Sequence, residues 1–146
     1  MAFQFSLAGV LKLRESVERR EYLALEKIHM EIAHTEAQLR EVHELRSQLE
    51  ERRQAELAEG VPSIQLQGAI EQELALEHRR DAIKAKLKEL DAQRQQHVKA
   101  YDLARQKREM LDDLRTRQLD AYLRNRAKRE QSAIDDLFLS RRKRSD

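Results

Sequence analysis

The chain has 146 residues, of which 38% are charged and only 4% aromatic, and its mean hydropathy is −0.86. This composition excludes an ordinary globular core, because burial of large apolar side chains is what offsets the conformational entropy lost on folding. The absence of Cys excludes disulfides and thiol chemistry. With three Gly, one Pro and many strong helix formers, the sequence predicts long helices that bury a narrow seam.

The first predicted helix covers residues 6–59. Its apolar residues recur at alternating steps of three and four, the spacing of a coiled-coil seam. The repeat consists of Leu25, Ile28, Ile32, Thr35, Leu39 and Val42. Beyond Val42 the next apolar residues are Leu45 and Leu49, which inserts an extra step of three. This predicts a stammer, a local overwinding of the coiled coil.

A turn is predicted at residues 60–63. Gly60 suits the left-handed position that closes a helix, and Pro62 lacks an amide donor and disfavours helical geometry in the preceding residue. Ser63 is predicted to cap the next helix with its side-chain oxygen. The two helices should therefore fold back on each other, with residues equidistant from position 61 facing each other, so that position 3 lies opposite position 119.

The second predicted helix covers residues 64–139, and a basic tail covers 140–146. Its seam positions are Ile83, Leu87, Leu90, Arg94, His97, Tyr101, Ala104, Arg108, Leu111 and Leu114. Because this helix is longer than the first, its last part has no intramolecular partner. The predicted fold is all-α: a single domain over 1–146, in which two long helices form an antiparallel coiled-coil hairpin and the second overhangs the first.

No constellation for catalysis or cofactor binding is found in the sequence. The three glycines form neither a dinucleotide fingerprint nor a phosphate loop, and His29 and His34 are spaced too awkwardly to share one helix face. We therefore expect no enzymatic activity, no metal and no cofactor. No stretch approaches the length of a membrane span, and the first residues lack a signal-peptide pattern. A cytoplasmic protein is expected.

Basic residues are concentrated in the last third of the chain. Residues 1–92 contain 14 Lys and Arg against 18 Asp and Glu, whereas residues 93–146 contain 15 against 9. This asymmetry leaves two alternatives open. One is a coiled-coil arm that binds nucleic acid through phosphates, although interspersed acids and few aromatics speak against it. The other is a generic structural coiled coil that dimerises through the same seam.

Two terminal motifs carry a family resemblance. The first is FQFSLAGVLKLRESVE, which begins at Phe3, and the second is REQSAIDD, which begins at Arg129. Together they resemble the flagellar FliJ family of bacterial type III export proteins, which is related to the YscO-type stalk proteins. Asp136 departs from the pattern, because the family more usually has Glu there.

The resemblance implies a non-enzymatic, stalk-like adaptor of the flagellar export apparatus. Such a protein would bind the hexameric export ATPase ring, link it to the cytoplasmic domain of the membrane export gate and escort export chaperones. It would be peripherally associated with the inner-membrane face of the flagellar basal body. Neither nucleic-acid binding nor direct membrane insertion is expected.

Two sets of residues are predicted to bind these partners. The ring-binding set combines the first motif with the overhanging helix: Leu7, Leu11, Arg14, Arg129, Gln131, Asp135, Asp136 and Leu137. The gate-binding set lies near the turn: Val42, Leu45, Leu49, Ile70 and Leu74. Alternatives remain open for both sets. The first-motif residues and the gate set could simply pack in the seam, and the C-terminal residues could form a solvated helix end or a capping box of Ser132 with Asp135.

Overall fold

The computed structural model describes residues 2–60 and 62–145. It contains two helices, α1 (Ala8–Glu59) and α2 (Ser63–Ser145), and no strand among the described residues. The helices contact each other as a helical hairpin, so the predicted all-α class is confirmed. The predicted turn includes Val61 and the predicted tail ends at Asp146; these two residues, with Met1, lie outside the described residues.

The hydrogen bonds at the turn place the start of α2 one residue earlier than predicted. Gly60 has a φ of +80°, the left-handed conformation expected of it. The amide of Leu66 donates to the carbonyl of Pro62 at 3.4 Å. Pro62 is therefore the capping residue and Ser63 is already helical, which corrects the predicted cap. A cap position contributes only its carbonyl to the helix, so the missing amide of Pro62 costs nothing there.

Helix α2 also continues beyond the predicted end at residue 139, to Ser145. Its last turn contains Arg142, Lys143 and Arg144, and cations are favourable beside the unpaired carbonyls of a helix C-terminus. Ser132 and Asp135 do not form a capping box, because no helix begins there. Asp135 instead accepts a hydrogen bond from Gln131 Nε2 at 3.2 Å.

The chain folds as two compact units. Unit 1 comprises Met1–Arg20 with Asp102–Asp146, and unit 2 comprises Glu21–Tyr101. The buried side chains of unit 2 are Ile28, Thr35, Val42, Ile83 and Leu90. Thr35 satisfies its hydroxyl by donating to the Glu31 carbonyl at 2.8 Å, and Tyr22 contacts Tyr101 with ring centroids 5.9 Å apart. The predicted seam of both helices is thus occupied within unit 2.

The predicted stammer in α1 is wrong. The buried Val42 is followed in the seam by Arg46, four residues on, and Leu45 is exposed. The regular repeat continues through Leu49 to Arg53. Each arginine is half-buried and pairs with an acid of α2. A long apolar stem with a charged head allows arginine to occupy a seam position that apolarity alone would assign to the neighbouring leucine. The pairs are Arg46–Glu77 at 3.0 Å and Arg53–Glu73 at 2.7 Å.

In unit 1 the seam buries Phe5, Leu11 and Ala104. Phe3 contacts Tyr122 with ring centroids 5.6 Å apart. The α2 repeat is confirmed by burial as far as Leu111, whereas Leu114 lies exposed beside the seam.

Facing side chains lie further along α2 than the symmetric fold-back predicts. Position 3 was expected to face 119, but Phe3 reaches Tyr122. In unit 2, Arg53 reaches Glu73 rather than position 69. Helical side chains lean towards the N-terminus of their own helix. A side chain of α1 therefore leans away from the turn, and it meets an α2 side chain that starts further along and leans back towards the turn.

Candidate interaction surfaces

The last part of α2, here called the overhang, comprises residues 123–145. Every one of these residues is exposed, although all are helical. Four of its apolar residues lie close together in the sequence and are more than half exposed: Ile134, Leu137, Phe138 and Leu139. Isolated apolar residues are normal on protein surfaces, but a group of four on one short exposed helix indicates a contact site.

Five of the predicted ring-binding residues lie on this overhang, and all are exposed: Arg129, Gln131, Asp135, Asp136 and Leu137. Asp135, Asp136 and Leu137 follow one another at about 100° per residue around the helix. They consequently point in three different directions. A partner must cover more than half of the helix circumference to contact all three at once.

The other three predicted ring-binding residues belong to the first motif and are at least partly packed within unit 1. Leu11 is buried, and Leu7 and Arg14 are half-buried. Seam packing therefore accounts for Leu11. An open groove of about 320 Å³ remains beside it, with both motif phenylalanines in its lining. It is lined by Phe3, Phe5, Ala8, Leu11, Lys12, Glu15 and Arg115.

A larger notch of about 740 Å³ lies where the overhang begins. It is lined by Ala2, Tyr122, Asn125, Arg126 and Arg129. Of the predicted residues only Arg129 contributes to it. Sequence reasoning missed Asn125 and Arg126 because they lie between the two motifs, and only their place about one turn before Arg129 could have suggested them.

The predicted gate-binding residues do not form one surface. Val42 is fully buried, so it cannot contact a partner unless unit 2 unpacks. Leu45 and Leu49 line a groove of about 340 Å³ between α1 and α2. Its other lining residues are Gln48, Arg52, Gln72, Ala75 and Leu76. Ile70 and Leu74 are exposed but do not line this groove.

The position of each residue relative to the seam explains this division. Leu45, Gln48 and Arg52 each directly precede a seam residue of α1, and Gln72 and Ala75 directly precede seam residues of α2. We call the side they form the leading side. Ile70 and Leu74 directly follow seam residues, so they lie on the trailing side, across α2 from the groove. An antiparallel pair places the leading sides of both helices together, as the shared groove shows.

No described residues are arranged for metal binding, since no three His, Asp or Glu side chains among them converge. Nor does either described helix contain a segment long and apolar enough to cross a membrane. The surfaces found in the described parts of the chain are grooves and exposed helix faces, which suit macromolecular contacts.

Comparison with known proteins agrees with this picture. A family model described as "Flagellar FliJ protein" matches residues 3–145, which include both terminal motifs. No curated protein and no solved structure gives a significant match. Members of this family are non-enzymatic components of the flagellar export apparatus. Because the match covers nearly the whole chain, the protein belongs to the flagellar FliJ family.

Proposed function

We propose that this protein is an adaptor of the flagellar export apparatus that binds the hexameric export ATPase through its overhang. The observation that carries the proposal is the exposure of all 23 residues from 123 to 145 on a continuous helix. A helix with no packing partner for its apolar residues gains stability when a partner buries them. The distribution of Asp135, Asp136 and Leu137 around the helix favours a partner that encloses it, such as the pore of a ring.

The basic residues at the end of the overhang would steer it towards the ring. Arg141, Arg142, Lys143 and Arg144 are consecutive and exposed at the end of α2. They would attract an acidic ring surface over roughly the Debye length, about 8–10 Å at physiological salt. The apolar residues would then supply the short-range part of the binding energy. Binding should therefore slow as salt rises, chiefly through the association rate.

The cognate export ATPase provides the test. We expect Asp135→Ala combined with Leu137→Ala to leave helicity unchanged, because both residues are exposed, and to weaken both ring binding and ATPase stimulation. The matched control is Glu26→Ala with Leu23→Ala, an exposed acid and leucine on α1 of unit 2. Wild-type affinity in the overhang variant, or an equal loss in the control, would remove the overhang as the ring-binding site.

We further propose that the groove of unit 2 binds the cytoplasmic domain of the export gate. Two of the five gate residues predicted from the sequence, Leu45 and Leu49, lie in this groove with Leu76. An amphipathic helix or extended segment that buries them would bind in a mode common for two-helix grooves. Ile70 and Leu74 on the trailing side are left out of the proposed contact.

The two sides can be compared directly in a gate-binding assay. Leu45→Asp places a charge in the groove, whereas Leu74→Asp places the same charge on the trailing side, and both leucines are exposed. We expect only Leu45→Asp to abolish binding of the purified gate domain. Equal loss in both variants would mean that the contact covers both sides, as the wider sequence prediction has it.

Escort of export chaperones is also proposed, from the family alone. A nucleic-acid-binding arm remains a second candidate function, because four basic residues at the start of the overhang are all exposed: Arg124, Arg126, Lys128 and Arg129. A gel shift with generic RNA distinguishes this function from the proposed binding of the export ATPase. Micromolar binding that falls steeply with salt would support the RNA arm, since phosphate contacts release counterions.

A further inference from the structure

We propose a third contact surface, on the leading side of unit 1, that binds an amphipathic helix with acidic edges. It is separate from the overhang and from the groove of unit 2, so it goes beyond the function proposed above. We call it the apolar face. It consists of Val10, Leu13 and Val17 of α1 and Leu103, Met110 and Leu114 of α2.

The repeat places these six residues on the same side of the helix pair. Val10, Leu13 and Val17 directly precede the seam residues Leu11, Arg14 and Glu18. On α2, Leu103 precedes the buried Ala104, Met110 precedes the half-buried Leu111, and Leu114 precedes position 115, the next step of four in the repeat. All are thus on the leading side. In unit 2, residues of both helices that directly precede seam positions line one shared groove. The leading sides of the two helices therefore adjoin there.

Two contacts set the relative height of five of these residues, all except Leu103, which lies five residues before the first contact on α2. Glu18 is bound to Arg108, and Phe3 packs against Tyr122. Between these contacts, Leu13 and Val17 lie level with the segment from Met110 to Leu114. Five of the six residues are exposed and Val17 is half-buried, so a partner can reach all of them at least in part.

The trailing side of the same unit has the opposite character. There the residues that follow seam positions are mostly charged, including Glu15, Arg19, Arg105 and Glu109. Arg105 approaches Glu109 at 3.7 Å, an ordinary exposed ion pair. A polar trailing side and an apolar leading side on one helix pair indicate that the leading side is covered by something else.

The charges at the edge of the apolar face determine the kind of partner. Lys107 and Arg117 lie beside Met110 and Leu114, and both are exposed, so they outnumber the one exposed acid of this edge, Asp113. A second copy of the chain would bring these cations against themselves, whereas a helix with Glu or Asp beside its apolar stripe would complement them. Gly9 adjoins Val10, and a Cβ there would meet nothing within 4 Å, so a partner helix can approach closely.

Two designed peptides test the proposal with the full-length protein. Both are 21-residue helices with Leu at i, i+3, i+4 and i+7; one has Glu beside the stripe and the other Lys. By fluorescence anisotropy we expect the Glu peptide to bind at least tenfold more tightly. Leu13→Gln with Met110→Gln should reduce that binding at least tenfold. Met30→Gln is the matched control, because Met30 is 69% exposed in unit 2 and Met110 is 70% exposed.

Charge reversal provides the second arm. Lys107→Glu with Arg117→Glu should reverse the preference, so that the Lys peptide binds more tightly. The proposal is overturned if the wild type binds both peptides equally or neither. It is equally overturned if the Gln variants retain full affinity. Concentration-dependent dimerisation of the wild type in sedimentation equilibrium, lost in Leu13→Gln with Met110→Gln, would assign the face to a second copy and also overturn it.

Discussion

Arg108 donates two hydrogen bonds to the carboxylate of Glu18 across the seam of unit 1, Nε to Oε2 at 2.6 Å and Nη2 to Oε1 at 3.1 Å. The third guanidinium nitrogen donates to Asp112 Oδ2 at 2.8 Å. The hydrogen bonds that Arg108 donates to Glu18, and next the one to Asp112, raise the pKa of Arg108 further above its usual value. Because a bidentate pair fits in only one alignment, it fixes which residues of α1 and α2 face each other in unit 1.

Removing this pair should destabilise the protein measurably. We expect Arg108→Ala to lower the free energy of unfolding by about 1–2 kcal/mol, since charged hydrogen bonds are lost but both side chains are partly solvated. Urea unfolding followed by circular dichroism gives the value. Arg126→Ala, which breaks the exposed pair with Glu130, is the control and should cost less than about 0.5 kcal/mol. If both substitutions lowered the free energy of unfolding equally, the seam position of Arg108 would add no stability beyond that of an exposed ion pair.

The raised pKa of Arg108 also defines its pH dependence. A raised pKa means that the stabilisation is complete below the unfolded-state pKa of the guanidinium and is lost only as pH rises through the folded-state pKa. Both lie above the range in which the protein can be handled. The difference in unfolding free energy between wild type and Arg108→Ala should therefore not fall between pH 7 and 10. A decrease in that interval would contradict the assignment.

Val42→Ala tests the regular seam in unit 2. The side chain is fully buried, so its truncation should lower the free energy of unfolding by about 1.5–3 kcal/mol through lost burial and a residual cavity. Leu45→Ala should cost less than about 1 kcal/mol, although it removes more atoms, because Leu45 is exposed. Thermal and urea unfolding distinguish the two. If Leu45→Ala were more destabilising than Val42→Ala, the result would support the stammer that the apolar residues alone predict.

Two glycines should respond to alanine with opposite signs. Gly60 has a φ of +80°, which an L side chain rarely adopts, so Gly60→Ala should destabilise by about 1 kcal/mol. Gly68 lies within α2, and a Cβ there meets nothing within 4 Å. Gly68→Ala should therefore stabilise by about 0.5–1 kcal/mol through helix propensity. The shift in Tm provides the readout, and shifts of the same sign would contradict this.

Thr35→Val should leave the fold intact and raise its stability by up to about 1 kcal/mol. The Thr35 hydroxyl is buried in the seam, and its acceptor is the Glu31 carbonyl of its own helix. Exchange of the hydroxyl for a methyl group therefore removes a desolvated polar group without leaving a donor unpaired. Thr35→Ser, which keeps the hydroxyl but loses the methyl, should be destabilising. Loss of stability in the valine variant would indicate that the hydroxyl has a further partner.

Much of the fold could be predicted because the seam repeats so regularly. Steps of three and four from Leu25 to Val42, and from Ile83 to Leu111, place these residues in the seam that the structure contains. The left-handed conformation of Gly60 could also be predicted, because glycine adopts it readily and few other residues do. In these places local preference and long-range packing point to the same structure.

The failures occur where an apolar residue competes with an arginine for one position. Leu45 is apolar and Arg46 is charged, yet Arg46 occupies the seam because its stem is long and Glu77 lies within reach. That acid lies 31 residues away in sequence, so no local pattern reveals it. The same error placed Leu45 and Leu74 in one predicted surface, whereas the corrected repeat puts them on different sides of the helix pair.

The exposure of residues 123–145 has a consequence for hydrogen exchange. Their amides are held only by hydrogen bonds along a single exposed helix, whereas most helical stability in proteins comes from tertiary packing. Deuterium should therefore enter this segment quickly, while the amides around Ile83 and Leu90 stay protected for much longer. A partner that binds the segment would slow the exchange of its amides. The peptides whose exchange is slowed would therefore show which part of the segment the partner covers.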